Sequence, residues 1–318
     1  MAKYDYKRNY EELLTPGIVA RLVRVHEFKG RQALLERTPS EALSRMCREA
    51  AIDGVDAMMR RAGHVIPRER LELLIRDKTL PRTNDEIAAA GYRDARAIVL
   101  HDSAFLPFKP SSLLQLHAVL HTFSGTTDGG TYRPDCGMAE AVEALCTAYE
   151  EAMKAPDVDP FLLVAAVLRD FGRLAPFPDA NGRMTALIGH LLLNQTGLRI
   201  GRYDALEKRF VEMDFAADEP LSVTTLAFLD RLLAACRTFS DRCEEAARLK
   251  APKTDRVAEL IRETDGTVSK AEILERCPDI SRITVQRTLA DLLAERRIVK
   301  IGGGRYTTYR WNKRNKKK

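Results

Sequence analysis

Ala175-Pro176-Phe177-Pro178-Asp179-Ala180-Asn181-Gly182-Arg183-Met184-Thr185-Ala186 is the stretch on which the reading of this chain turns. A proline-stiffened loop feeds Asn181-Gly182, which opens a helix with Met184, Leu187, Ile188, Leu191 and Leu192 on its inward face and a stop near Gly197. A helix start offers unpaired backbone N–H groups and the positive end of the macrodipole, which together suit a phosphate. Arg183 adds positive charge, and Asp179 is a candidate ligand for a magnesium ion. The same residues also suit an ordinary Asp/Asn-capped helix start.

Outward from this loop the chain reads as mostly helical. Phe161, Val164, Ala165, Leu168 and Phe171 mark one face of a helix over Pro160–Leu174, and a further helix fits Met138–Met153. Leu113, Leu114, His117, Leu120 and His121 recur at helical spacing, ahead of a Gly-rich stretch at 124–130. His117 and His121 share a face, where a hydrogen-bonded core role is expected. Residues 1–60 carry two long amphipathic patterns broken near Thr15-Pro16 and Thr38-Pro39. Strand signals are nearly absent before residue 250, and no internal repeat of fixed period is present.

The composition is that of a globular protein: 318 residues, 45% apolar and 30% charged, with mean hydropathy -0.27. No apolar run approaches the roughly 18 residues that a spanning helix needs, so no membrane association is expected. The N-terminus lacks an apolar secretory core, and the six cysteines are scattered without a C-x-x-C pair. A cytoplasmic protein with reduced thiols and no structural zinc is expected.

The charge is unevenly spread. From Ala251 to Lys318 there are 17 Lys/Arg against 9 Asp/Glu, whereas the first 250 residues hold 34 against 36. The excess positive charge therefore lies in the last fifth of the chain, pointing either to a polyanion partner there or to a solubilising basic tail. This end also changes in pattern. A helical segment around Val257, Leu260 and Ile261 is followed by a capping box at Ser269-Lys270-Ala271-Glu272. A third helix begins at Ser281, with Val285, Leu289, Leu292 and Leu293 inward and Arg282, Thr284, Arg287, Thr288 and Asp291 opposite. Strands at Arg297–Ile301 and Arg305–Arg310 flank the turn Gly302-Gly303-Gly304. This order resembles a winged helix-turn-helix. The resemblance implies that the third helix enters the major groove of DNA, with Arg282, Thr284, Gln286, Arg287, Thr288 and Arg305 as contacts. A winged helix used for protein contacts is the alternative.

The central stretch resembles the Fic motif H-x-F-x-D-G-N-G-R-x-x-R. Upstream, Gly91-Tyr92-Arg93-Asp94, Leu114-Gln115-Leu116-His117 and Ser124-Gly125 are similar to a bacterial subgroup of Fic proteins, as is Gly201–Lys208 downstream. That subgroup also carries a C-terminal winged helix. The resemblance implies a mainly α fold: a helical Fic-type core followed by a small α+β winged helix-turn-helix domain. The expected organisation is an N-terminal helical region at 1–90, a core at 91–243, a linker at 244–256, the winged helix at 257–312 and a basic tail at 313–318. In active members the activity is transfer of AMP from ATP, with magnesium, to a protein hydroxyl.

Several departures bear on that activity. The family's histidine, a general base, is Ala175, which cannot accept a proton; losing a positioned base costs on the order of 100- to 10,000-fold. The first motif glycine is Ala180, and the final arginine, which holds the γ-phosphate in the family, is Ala186. Retained for a nucleotide or other anion are Phe177, Asp179, Asn181, Gly182 and Arg183, with Ala180 among them in place. The family's target-gripping flap is missing, since Tyr132 leads through Arg133–Gly137 straight into a helix. The family's inhibitory segment aligns with Glu49–Gly54, where Asp53 and Gly54 stand as remnants. His190, two turns into the motif helix, is expected about 10 Å or more from the loop. The expectation is a catalytically degenerate Fic-fold protein acting as a DNA-binding regulator. An atypical AMP transferase and an antitoxin-like interaction module are the alternatives, and a homodimer or a protein partner for the core is compatible with each.

Overall fold

Thr15 and Pro16 begin the ordered helical array: the Thr15 hydroxyl accepts from the Ile18 N–H, and Pro16 occupies the first helical position, where a missing N–H costs nothing. The computed structural model describes residues 4–6, 13–125, 129–250, 252–304 and 307–312. The chain divides into two units, Met1–Cys243 and Glu244–Lys318.

The first unit is helical. In chain order come α1 (Pro16–Leu35), α2 (Ser40–Arg61), α3 (Arg68–Arg76), α4 (Asn84–His101), α5 (Pro110–Leu120), α6 (Met138–Met153), α7 (Pro160–Leu174), α8 (Asn181–Gln195), a 3-10 turn at Ile200–Arg202 and α9 (Leu206–Phe210). Helix α10 (Leu221–Lys250) passes the division between the units. The motif helix α8 is buried on nearly every side from Arg183 to Leu193. It packs against α4 and α7, while α2 packs on α4 and α9. α4 lies so close to α5 that a Cβ at Gly91 would stand 2.1 Å from the Leu120 carbonyl oxygen. Helices α6 and α7 take the bounds their apolar spacing predicts.

The second unit comprises α11 (Lys253–Glu263), α12 (Lys270–Arg276), α13 (Arg282–Ala294) and strands β1 (Val268–Ser269), β2 (Ile298–Ile301) and β3 (Thr308–Trp311). The strands form an antiparallel sheet in the order β1-β3-β2, with Val268 opposite Tyr309 and Ile301 opposite Thr308. Its core gathers Val257, Ile261, Val268, Ile273, Ile280, Val285, Leu289, Leu292 and Ile298. Ser269 and Glu272 form the expected reciprocal capping box. The stretch 244–256, read as a linker, is where α10 ends and α11 begins. Among the described residues the second hairpin strand runs from Thr308; Arg305, where it was expected to begin, and the basic tail at 313–318 lie outside the described residues. Among the described residues, no helix is long and apolar enough to cross a membrane.

Candidate functional site

The loop between α7 and α8 is bracketed by two alanines in the left-handed region. Ala175 closes α7 at φ 42°, ψ 61°, and Ala180 precedes α8 at φ 56°, ψ 13°. Between them Asn181 staples the loop to the helix: its Oδ1 accepts from the Phe177 N–H at 3.0 Å, and its Nδ2 donates to the Phe177 carbonyl at 2.8 Å. Phe177 is fully buried and stacks on the His117 ring, with centroids 4.1 Å apart and planes 9° apart. Phe177 is thus an anchor for the loop. A Cβ at Gly182 would meet nothing within 4 Å, so the first turn of α8 is open on that side.

Asp179 is half exposed and works as a hub. Its Oδ1 lies 3.3 Å from His117 Nε2 and 3.1 Å from His121 Nε2. His117 Nδ1 accepts the Gly130 N–H at 3.0 Å, so in the neutral ring the proton sits on Nε2 and is donated to Asp179. Burial, and then the neighbouring His121, push the His117 imidazole pKa down despite Asp179, which favours that neutral ring. The three ligand atoms lie within 4.8 Å of one another, as a two-histidine, one-carboxylate metal site would place them. The Gly130 bond argues against that use: a metal on Nε2 moves the proton to Nδ1, against an N–H already pointing there. His117 and His121 therefore have the hydrogen-bonded role expected of them, and their partner is the motif aspartate.

Arg183 is 9% exposed and makes no hydrogen bond among the described residues; its nearest acidic oxygen is Asp179 Oδ2 at 4.0 Å. Burial lowers its pKa. A cation with so little local compensation suits a small anion at the start of α8. A magnesium-bound nucleoside triphosphate fits these residues poorly. One oxygen of Asp179, Oδ1, is shared by two imidazoles, and Ala186 offers no cation for a terminal phosphate. Beside Ala186 is a cavity of about 230 Å³, lined by Met58, Arg61, Asn181, Gly182, Thr185 and Phe210 among others.

The stretch of α2 expected to be an inhibitory remnant makes other contacts. Asp53 pairs with Arg68 and Lys208, each at 2.6 Å, and Gly54 lies against Glu207. A Cβ at Gly54 would stand 2.5 Å from Glu207 Oε2, so the glycine permits the approach of α2 and α9. It is Met58 and Arg61, one to two turns further along α2, that face the motif helix. Glu207 is fully buried. It accepts from Arg96 Nε at 2.7 Å and Tyr92 Oη at 3.3 Å, and lies 2.8 Å from His190 Nε2 without hydrogen-bond alignment. Burial opposes its ionisation, but Arg96 and His190 outweigh burial and hold the carboxyl well below the usual carboxylate range. His190 thus serves a buried charge cluster. The burial of Glu207 has no signal in the sequence, since Leu206-Glu207-Lys208-Arg209-Phe210 sets it among charged neighbours.

Arg133 reaches the other side of the loop. Its N–H donates to the Pro176 carbonyl at 2.9 Å, and its guanidinium reaches the Leu174 carbonyl at 3.3 Å and Asp135 at 3.0 Å. A cavity of about 480 Å³ adjoins it, with Arg169, Arg173, Tyr6 and Leu163 in its walls.

In the second unit, α13 presents Arg282, Ile283, Gln286, Arg287 and Ala290 on one exposed face. Arg282 and Arg287 have no hydrogen bond or ion pair among the described residues. Gln286 Oε1 accepts from Lys270 Nζ at 2.9 Å. Two other expected contacts are engaged in the fold. Thr284 joins the N-cap, its N–H and hydroxyl both meeting the Ser281 hydroxyl, at 3.2 and 2.9 Å. Thr288 is 2% exposed and donates to the Thr284 carbonyl, so it points inward, not onto the exposed face. The reason is spacing: position 288 is three residues after Val285 and one before Leu289, on the buried stripe. Ile283, 80% exposed, was not expected.

Residues 107–193 match the model of the Fic/DOC family. Among solved structures the chain is similar to a Fic family protein from Desulfovibrio desulfuricans G20, at 19% identity and TM-score 0.56, covering 96% of this chain and 98% of that one. It is also similar to a Fic domain containing signaling protein from Bacteroides thetaiotaomicron VPI-5482, at 14% identity and TM-score 0.55, covering 70% of this chain and 98% of that one. No curated protein matches the sequence. The chain carries a Fic-type helical core followed by a small α+β unit.

Proposed function

We propose that this Fic-fold protein is a DNA-binding regulator whose core does not transfer AMP. The observation that carries the reading is the face of α13. Arg282, Gln286 and Arg287 stand together on solvent, and both guanidiniums lack a partner among the described residues. Three short helices with a three-stranded antiparallel sheet suit a winged helix, with α13 as the element that enters the major groove. The concentration of positive charge beyond residue 250 supports a polyanion as its partner.

Loss of catalysis is supported by Ala175 at the base position, by Asp179 tied to two histidines and by Ala186 at the phosphate-clamp position. The start of α8, with the uncompensated Arg183 beside it, is then left to bind a small anion. The test is binding of the full chain to mixed genomic DNA fragments across a salt series, beside incubation of the chain with labelled ATP and a cell lysate. The expected results are affinity that falls steeply with salt, a sequence subset retained at high salt, and no transferred label. Label that depends on Arg183 would reverse the catalytic part of the proposal. Unchanged DNA affinity in an Arg282→Ala, Arg287→Ala double variant would remove α13 as the reader.

A further inference from the structure

Ile283 is the second residue of α13 and 80% exposed, the most exposed isoleucine among the described residues. An apolar side chain left in water contributes nothing to the fold, and the core of this unit is complete without it. Its neighbours on the same face are Arg282, Gln286 and Arg287, and Lys270 lies beside them through its bond to Gln286. The surroundings are thus cationic and amide-bearing. They do not make the wide apolar patch on which a protein partner would seat. In a reading helix the first turn approaches the base edges most closely. The one apolar feature on those edges is the thymine 5-methyl group.

Resting on the DNA-binding reading, we propose that Ile283 is a specificity-determining residue that packs on the 5-methyl group of a thymine. Arg282 and Arg287 would hold the duplex around that contact, through phosphates or guanine edges, and the Gln286 amide would donate to a neighbouring base. Its carbonyl is already bonded to Lys270, which leaves the NH2 as the group to offer and selects an acceptor on that base.

The experiment uses the full chain. The preferred duplex is selected from a random pool, and each thymine is then replaced singly by deoxyuridine, which removes the methyl group and nothing else. Burying one methyl group corresponds to about a four-fold change in affinity. The expected result is one thymine, or one per half-site, whose replacement weakens binding by about that factor. Ile283→Ala should still bind the duplex but no longer distinguish deoxyuridine from thymidine there, while Ile283→Val keeps part of the discrimination. Sequence-specific binding with no methyl-sensitive position, or sensitivity that persists in Ile283→Ala, overturns this inference and leaves the regulator reading standing. Absence of specific DNA binding overturns both. Because Ile283 lies outside the core, the variants fold as the parent does, and a thermal melt checks that directly.

Discussion

Replacing Ala180 or Ala175 by glycine should stabilise the first unit, an unusual direction for a substitution that only removes atoms. Both alanines have left-handed backbones, at φ 56° and φ 42°. For an L-residue that conformation costs roughly 1–2 kcal/mol relative to the right-handed one. Glycine is spared the steric part but loses about 0.5–1 kcal/mol more chain entropy on folding. The balance favours glycine by about 0.5–1 kcal/mol at each site. For a domain of this size about 1 kcal/mol moves the melting temperature by roughly 2–4 °C, so each variant should melt about 1–4 °C higher. Scanning calorimetry of the full chain reads this on the transition of the first unit. Ala20→Gly on the exposed face of α1 is the control of sign, since mid-helix glycine costs about 1 kcal/mol. A fall in melting temperature for both loop variants, matching that control, would refute the idea that the loop stores backbone strain.

Other expectations concern the buried charges and α13. Glu207→Gln removes one partner from a fully buried cluster and should destabilise the first unit by about 3–5 kcal/mol by denaturant titration. Gly54→Ala should also destabilise it, because the methyl group meets the Glu207 carboxylate; Gly54→Ala with Glu207→Gln should fall short of the sum of the two singles. His117 has a folded-state pKa below its unfolded value, so the unfolded chain takes up the proton first. The stability it contributes is therefore complete above about pH 6.5 and declines as pH falls from there toward the folded pKa. Unfolding free energies at pH 7.5 and 5.5 should show the decline, and it should shrink in His117→Gln. The Arg282→Ala, Arg287→Ala variant should flatten the slope of log affinity against log salt by about 2 if both residues contact phosphates.

Much of the helical core was legible because strong apolar periodicity coincides with clear punctuation. Asp159-Pro160 opens α7, which ends at Leu174, and Thr15-Pro16 opens α1 just where the spacing changes. The small α+β unit was legible for the same reason, its capping box and glycine turn falling at the right intervals. What escaped was set by tertiary contact. β1 is two residues long and exists only because Tyr309 and Thr308 pair with it. Thr288 looks like a surface residue by type, yet its place beside Leu289 on the inward stripe decides its burial. Within the site, the alanine positions were readable from the motif. The grip of His117 and His121 on Asp179 was not, because it joins residues 58 and 62 positions apart across an intervening helix pair. Nor could the sequence show that Asp53 is held by two cations, Arg68 and Lys208, from other elements.

The histidine grip on Asp179 also bears on ancestry. Restoring an imidazole at position 175 alone would meet an aspartate already engaged by two other rings and an alanine where a terminal phosphate needs a cation. On the proposed reading, a base restored at position 175 would still lack both a free aspartate and a phosphate clamp, so regaining transfer would take substitutions at several positions of one loop together.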